Sequence, residues 1–135
     1  MDERLLGVID TPVAVLGTII PDGRPHLIPV TFAASGDSLV TAVDWKPKTG
    51  RKLRRISNLE ADPRASLLIH HYSEEWGDLW WVRVDATATI HRTGPEWERA
   101  IAALVDKYPQ YRERPPEGAV ISLRPENVIS WPARP

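Results

Sequence analysis

The sequence predicts a mainly β protein. Six or seven antiparallel strands close, or half-close, into a barrel, with a basic helix inserted after the third strand and a second helix before the closing strands. Three observations carry this. The thirteen prolines gather between apolar runs and near the C-terminus, which favours many short strands over long helices. The β-branched runs are separated by compact turn signals. Finally, Val82, Val84, Ala86, Ala88 and Ile90 alternate with Arg83, Asp85, Thr87, Thr89 and His91, the pattern of a half-buried strand.

The elements follow in order. Residues 4–9 form a short helix end or an irregular lead-in. Residues 13–20 (VAVLGTII) are apolar and β-branched, and Pro-Asp-Gly at 21–23 turns the chain. Residues 24–34 (RPHLIPVTFAA) return as a second strand, Ser-Gly-Asp at 35–37 turns again, and residues 38–43 (SLVTAV) make the third strand of an antiparallel meander. Over 49–61 the period becomes helical: Leu53, Ile56 and Leu59 mark a core face, while Lys48, Arg51, Lys52 and Arg55 mark a separate one. Asp62-Pro63-Arg64 ends that helix. Strands are expected over 65–72 and 79–91, joined by a loop over 73–78. Pro95 opens a helix that runs to about Tyr108, with Trp97, Ile101, Leu104 and Val105 on one side. A Pro-rich loop over 109–118 then leads to two short strands, 119–124 and 127–131.

Composition narrows the function. The 135 residues are most simply one domain, 1–135, with a soluble globular balance of 42% hydrophobic and 26% charged residues. With no cysteine, disulfides, thiolate metal sites and cysteine nucleophiles are excluded. A net charge of -1 does not suggest bulk attraction to nucleic acid. The opening MDERLLGVIDTPVAVLG carries early acids and no small-residue cleavage site, so no signal peptide is expected. No apolar run approaches the roughly 20 residues that span a bilayer. The expected compartment is the cytoplasm.

Against that neutral background, residues 44–62 (DWKPKTGRKLRRISNLEAD) concentrate Lys46, Lys48, Arg51, Lys52, Arg54 and Arg55. Such a run fits a phosphate site near a helix N-terminus, where backbone N–H groups and the helix dipole add to the attraction. It equally fits a solvated helix face, and less directly a nucleic-acid patch. Pro25 and Pro29 interrupt the strand GRPHLIPV, leaving backbone groups for a ligand ring or protecting a sheet edge. His26, His70, His71 and His91 have no metal-ligand spacing, so no metal is expected. Trp76, Trp80 and Trp81 suit a core or dimer contact, or the wall of a flat heteroaromatic ring. Without a serine-nucleophile motif or a P-loop, any catalysis here rests on a cofactor.

The order of these segments is more telling than any one of them. PDGRPHLIPVTF, then KPKTGRKLRRISNLEADPRASLLIHHY, then EEWGDLWWVRVDATA resemble the pyridoxamine 5′-phosphate oxidase-like split β-barrel flavoproteins. More narrowly, they resemble the actinobacterial branch that uses the deazaflavin coenzyme F420. The resemblance covers residues 12–92 well and the C-terminal third loosely. It implies a homodimer with cofactor sites between the subunits and a small-molecule acceptor as substrate. His26, Leu27, Ile28, Pro29 and Val30 would line the ring, with Thr41 and Ala42 beside it. Lys46, Lys48, Arg51, Lys52 and Arg55 would hold phosphate, and Trp80 and Trp81 of the other subunit would close the pocket. The implied activity is hydride transfer from reduced F420 to an electron-poor acceptor. The alternatives are an FMN-dependent oxidase or reductase of the same fold, and a carrier of F420, flavin or tetrapyrrole without turnover.

Overall fold

A computed structural model of the chain describes residues 1–45 and 52–132. A single-turn helix α1 (Glu3–Leu6), capped by the Asp2 carboxylate on the Arg4 N–H, leads into β1 (Ala14–Ile19) and β2 (Pro25–Val30). Next come β3 (Ala33–Ser35), β4 (Ser38–Ala42), the helix α2 (Arg54–Ala61) and β5 (Arg64–His71). After a 3-10 turn (Trp76–Asp78) follow β6 (Trp80–His91), α3 (Pro95–Lys107), α4 (Pro109–Glu113) and β7 (Val120–Trp131). The seven strands form one antiparallel sheet in the order β2-β1-β5-β6-β7-β4-β3.

That order corrects the predicted meander. β1 pairs with β2, and β3 with β4, but the two hairpins stand at opposite ends of the sheet. Only Thr31 and Phe32 separate β2 from β3, a link that spans about 10 Å at most. The sheet must therefore curl until its two edges nearly meet, which makes a barrel split along that seam. The strand predicted over 24–34 breaks here because Phe32 turns fully into the core, while distant side chains take up its backbone N–H and C=O.

The barrel interior follows from the alternation in sequence. Leu16, Leu67, Ile69, Val84 and Leu123 are fully buried around Phe32. Val82, Val84, Ala86 and Ala88 of β6 face this core. A second cluster forms where Ala100 and Leu104 of α3 meet Ala33, Val40 and Val120. Ile56 and Leu59 seat α2 on the barrel, and buried Asn58 donates to Thr18 Oγ1 at 3.0 Å, fixing that helix to β1.

Three further expectations need correction. The two closing strands are one, because β7 passes through Pro125 at a register shift where Asp85 faces Asn127 and Ala86 faces Pro125. A bulge is where a strand tolerates proline. The Pro-rich loop contains α4, since Pro109 at the first helical position needs no N–H partner. The basic helix begins at Arg54 rather than Thr49, so Lys52 precedes it. Among the described residues, no helix is long and apolar enough to cross a membrane.

Candidate functional site

Val30 at the end of β2 and Thr41 and Ala42 of β4 approach one another across the barrel seam. Together with Pro29, Val13, Thr31, Asp44 and Arg55 they line a cleft of about 240 Å³. Its apolar wall comes from the strands and its charged wall from α2 and the end of β4. Thus Pro29, Val30, Thr41, Ala42 and Arg55, from three separate stretches of sequence, meet at one place.

Arg55 is the unusual member. Its Nε is buried and has no hydrogen-bond partner among the described residues. Burial holds its pKa below the ordinary guanidinium value, and the charge of Asp44 opposes that shift. A buried guanidinium N–H without a partner costs stability unless an acceptor arrives. The surroundings sharpen this: α2 opens on Arg54 and Arg55, has no acid in its first turn, and has no side-chain N-cap. Cations at a helix N-terminus oppose the dipole, whereas an anion there complements both.

Asp44 is fixed from behind. Tyr111, on α4, donates its hydroxyl hydrogen to Asp44 Oδ1. The Tyr111 hydroxyl lies 2.8 Å from Thr31 Oγ1. With its own hydrogen on the carboxylate, the tyrosine must accept from the threonine. Burial pushes Tyr111 up to about 12, and the carboxylate adds to the shift. The backbone of Asp44 is held too, since its carbonyl accepts from the Glu117 N–H at 2.8 Å. Next door, the Gly118 N–H donates to the Val43 carbonyl at 3.1 Å. A Cβ on Gly118 would lie 2.6 Å from Val43 Cβ, so glycine is what permits this approach. Arg114 closes the same corner, its guanidinium 4.1 Å from the centre of the Trp45 ring.

Within the one chain, the other expected site residues among those described lie apart from this cleft. His26 and Ile28 point inward, with His26 Nδ1 buried without a partner and Ile28 packed on the core. Leu27 is 67% exposed and borders a separate groove of about 420 Å³ beside Gly17 and Arg64. Lys52 bonds Glu60 at 2.8 Å. Trp80 and Trp81 border a third, aromatic cleft of about 380 Å³ with His70, His71, Tyr72 and Trp131, and Trp80 stacks on His71. Lys46, Lys48 and Arg51 lie outside the described residues. A larger cleft, about 670 Å³, lies by the N-terminus, where Arg4 pairs with Asp2 and the terminal ammonium with Asp37.

Asp44, Thr31 and Tyr111 are absent from the sequence-derived set. They come from segments up to 80 residues apart, so no local spacing could reveal them. An aspartate opening a basic run was the one visible sign.

Comparison with known proteins places this geometry in context. The family model described as pyridoxamine 5′-phosphate oxidase matches residues 1–132. No curated protein matches the chain. Among solved structures, a conserved hypothetical protein from Mycobacterium tuberculosis is 20% identical, with a TM-score of 0.78 over 97% of this chain and 84% of that one. The heme storage protein HutZ from Vibrio cholerae is 17% identical, with a TM-score of 0.74 over 94% and 92%. A heme binding protein from Mycobacterium smegmatis is 27% identical, with a TM-score of 0.71 over 91% of this chain and 50% of its own.

Proposed function

The chain belongs to the pyridoxamine 5′-phosphate oxidase family, and from that premise we propose that it is an F420-dependent oxidoreductase acting on a small electron-poor organic acceptor. Residues 1–135 act as one domain, and two copies form a homodimer with the cofactor between them. The observation that carries this reading is the Nε of Arg55, buried at the wall of the seam cleft without a hydrogen-bond partner among the described residues. It calls for a ligand oxygen that enters between two apolar strands, and the acid-free opening of α2 calls for an anion beside it, which together is the chemistry of a phosphorylated flavin or deazaflavin.

When bound, reduced deazaflavin supplies a hydride. The protein supplies position and exclusion of water. Val30, Thr41 and Ala42 offer a narrow wall against a flat ring, and the N-terminus of α2 offers donors to phosphate. The cations Lys46, Lys48 and Arg51 of the adjoining segment complete the phosphate set in this reading, as point charges and a fork. FMN carries the same ring edge and a phosphate at the end of the same kind of side chain, and is the alternative within the fold.

A second reading is a haem carrier without turnover. It is favoured by the aromatic cleft of His70, His71, Trp80, Trp81 and Trp131, and by the 27% identity to a heme binding protein.

Parallel titrations with F420, FMN and haemin, followed by fluorescence quenching and by haem absorbance, separate these readings. F420 binding tighter than FMN, with reduced F420 oxidised faster when nitro- or enone-type acceptors are added, supports the proposal. Preference for FMN supports the flavin alternative. Haemin binding alone, with no acceptor-dependent rate, overturns the enzyme reading.

A further inference from the structure

The seam cleft places an acceptor beside a donor, and this has a consequence for what it reads. Asp44 and Arg55 line the same cleft, and their charges act on one another without closing into an ion pair. A phosphate anion pressed against Asp44 would be repelled by the carboxylate. The phosphate therefore belongs toward the opening of α2, away from the Asp44 corner. The acidic corner is left for a part of the ligand that carries a hydrogen to donate.

Asp44 is prepared for that role. Tyr111 and the Glu117 N–H fix its orientation, and one bond from Tyr111 leaves a carboxylate with further acceptor sites. A pre-oriented acceptor loses little freedom on binding. Arg55 brings donors to the same cleft, and Thr41 adds a hydroxyl.

We infer that Asp44 and Arg55 together read an imide-type edge, a ring N–H flanked by carbonyl oxygens, with Asp44 accepting from the N–H and Arg55 donating to a carbonyl. Tyr111 is the positioning residue that aims Asp44. This rests on the deazaflavin or flavin reading of the cleft, since both rings carry such an edge. It goes beyond that reading by assigning specificity to a carboxylate, Asp44, and to the tyrosine that aims it.

The test is binding of F420 and FMN against their N3-methyl derivatives, in which the donated hydrogen is replaced. The wild-type protein is expected to lose about 10- to 100-fold in affinity on methylation, the size of one charge-assisted hydrogen bond. In Asp44→Asn, which keeps the bulk and removes the charge, the ratio should fall toward unity. In Tyr111→Phe, which keeps Asp44 but frees it, the ratio should shrink part of the way. Equal binding of parent and methylated ligand to the wild type overturns the inference while leaving the cofactor reading intact. A ratio unchanged in Asp44→Asn also overturns it, since crowding would then exclude the methyl group. Failure of wild-type protein to bind either parent ligand overturns the cofactor reading, and the inference with it.

Discussion

The Lys107 ammonium donates to the Phe32 carbonyl oxygen at 2.7 Å and lies 3.7 Å from the centre of the same residue's ring. It also donates to the Ile9 and Thr11 carbonyls, at 2.7 and 2.8 Å. One cation thus ties the lead-in to β1 to the link between β2 and β3, on the seam. Tyr108 reinforces the tie, donating to the Pro12 carbonyl at 2.7 Å and accepting from the Phe32 N–H at 3.0 Å. Val13 and Thr31, each next to a tied residue, are walls of the cleft. Replacing Lys107 with Met keeps the stem and strands three carbonyls. The expected loss is about 3 kcal/mol or more, because bonds to a charged donor contribute roughly 1.5–3 kcal/mol each. Chemical denaturation checks this, and an unchanged midpoint would show that the clamp holds nothing.

Tyr111 gives a pH dependence. Its hydroxyl is pushed up to about 12 in the folded chain by burial and by Asp44, against about 10 when unfolded. Between those values the unfolded chain has lost a proton that the folded chain retains. This contribution to stability is therefore whole below pH 10 and is lost as pH climbs through the window from about 10 to about 12. Denaturation of the wild type and Tyr111→Phe at two alkaline pH values should show a steeper decline in the wild type. Parallel declines would mean that the tyrosine is not so held.

Gly118 should not tolerate a side chain. Alanine there would place Cβ 2.6 Å from both the Cβ and the carbonyl oxygen of Val43, and backbone cannot swing aside as a flexible side chain can. The same residue accepts from Trp97 Nε1 at 2.9 Å through its carbonyl, so a shift would spread into α3. Overpacking of this kind costs typically about 1–3 kcal/mol. Thermal melting of Gly118→Ala measures it, and a wild-type melting temperature would contradict the tight approach.

Arg55 should separate stability from binding. Its buried Nε has no partner among the described residues, so Arg55→Met removes a partly desolvated charge and should leave stability unchanged or raised. Cofactor affinity should fall about tenfold or more, the scale of a lost charge-assisted bond. Paired melting and titration of that variant would show the two effects moving apart. A variant that melts lower and binds as before would place Arg55 in the scaffold.

Local chemistry made much of the fold legible. The alternation along 82–91 marks β6, Pro95 marks the start of α3, and Gly23 and Gly36, both with positive φ, lie in the two predicted turns. Long-range partners hid the rest. Phe32 leaves the strand pattern because its backbone groups are taken by Lys107 and Tyr108, some 75 residues away. α4 was obscured by Pro109, Pro115 and Pro116, which read as loop although a proline at the first helical position is compatible with a helix. In the site, the β2, β4 and Arg55 residues were visible through the order of segments. Lys52 looked like their companion because the spacing could not show Glu60 waiting on α2. Asp44 and Tyr111 depend on the packing of the C-terminal segment against the end of β4, which no window of sequence contains.

Cofactor binding in the seam cleft is tested by titrating the isotopically labelled protein with F420 and following backbone amide NMR shifts residue by residue. Saturable shifts centred on Val30, Thr31, Thr41, Ala42 and Arg55 are expected. Shifts confined to His71, Trp80 and Trp131, or no saturable shifts at all, would contradict binding in this cleft.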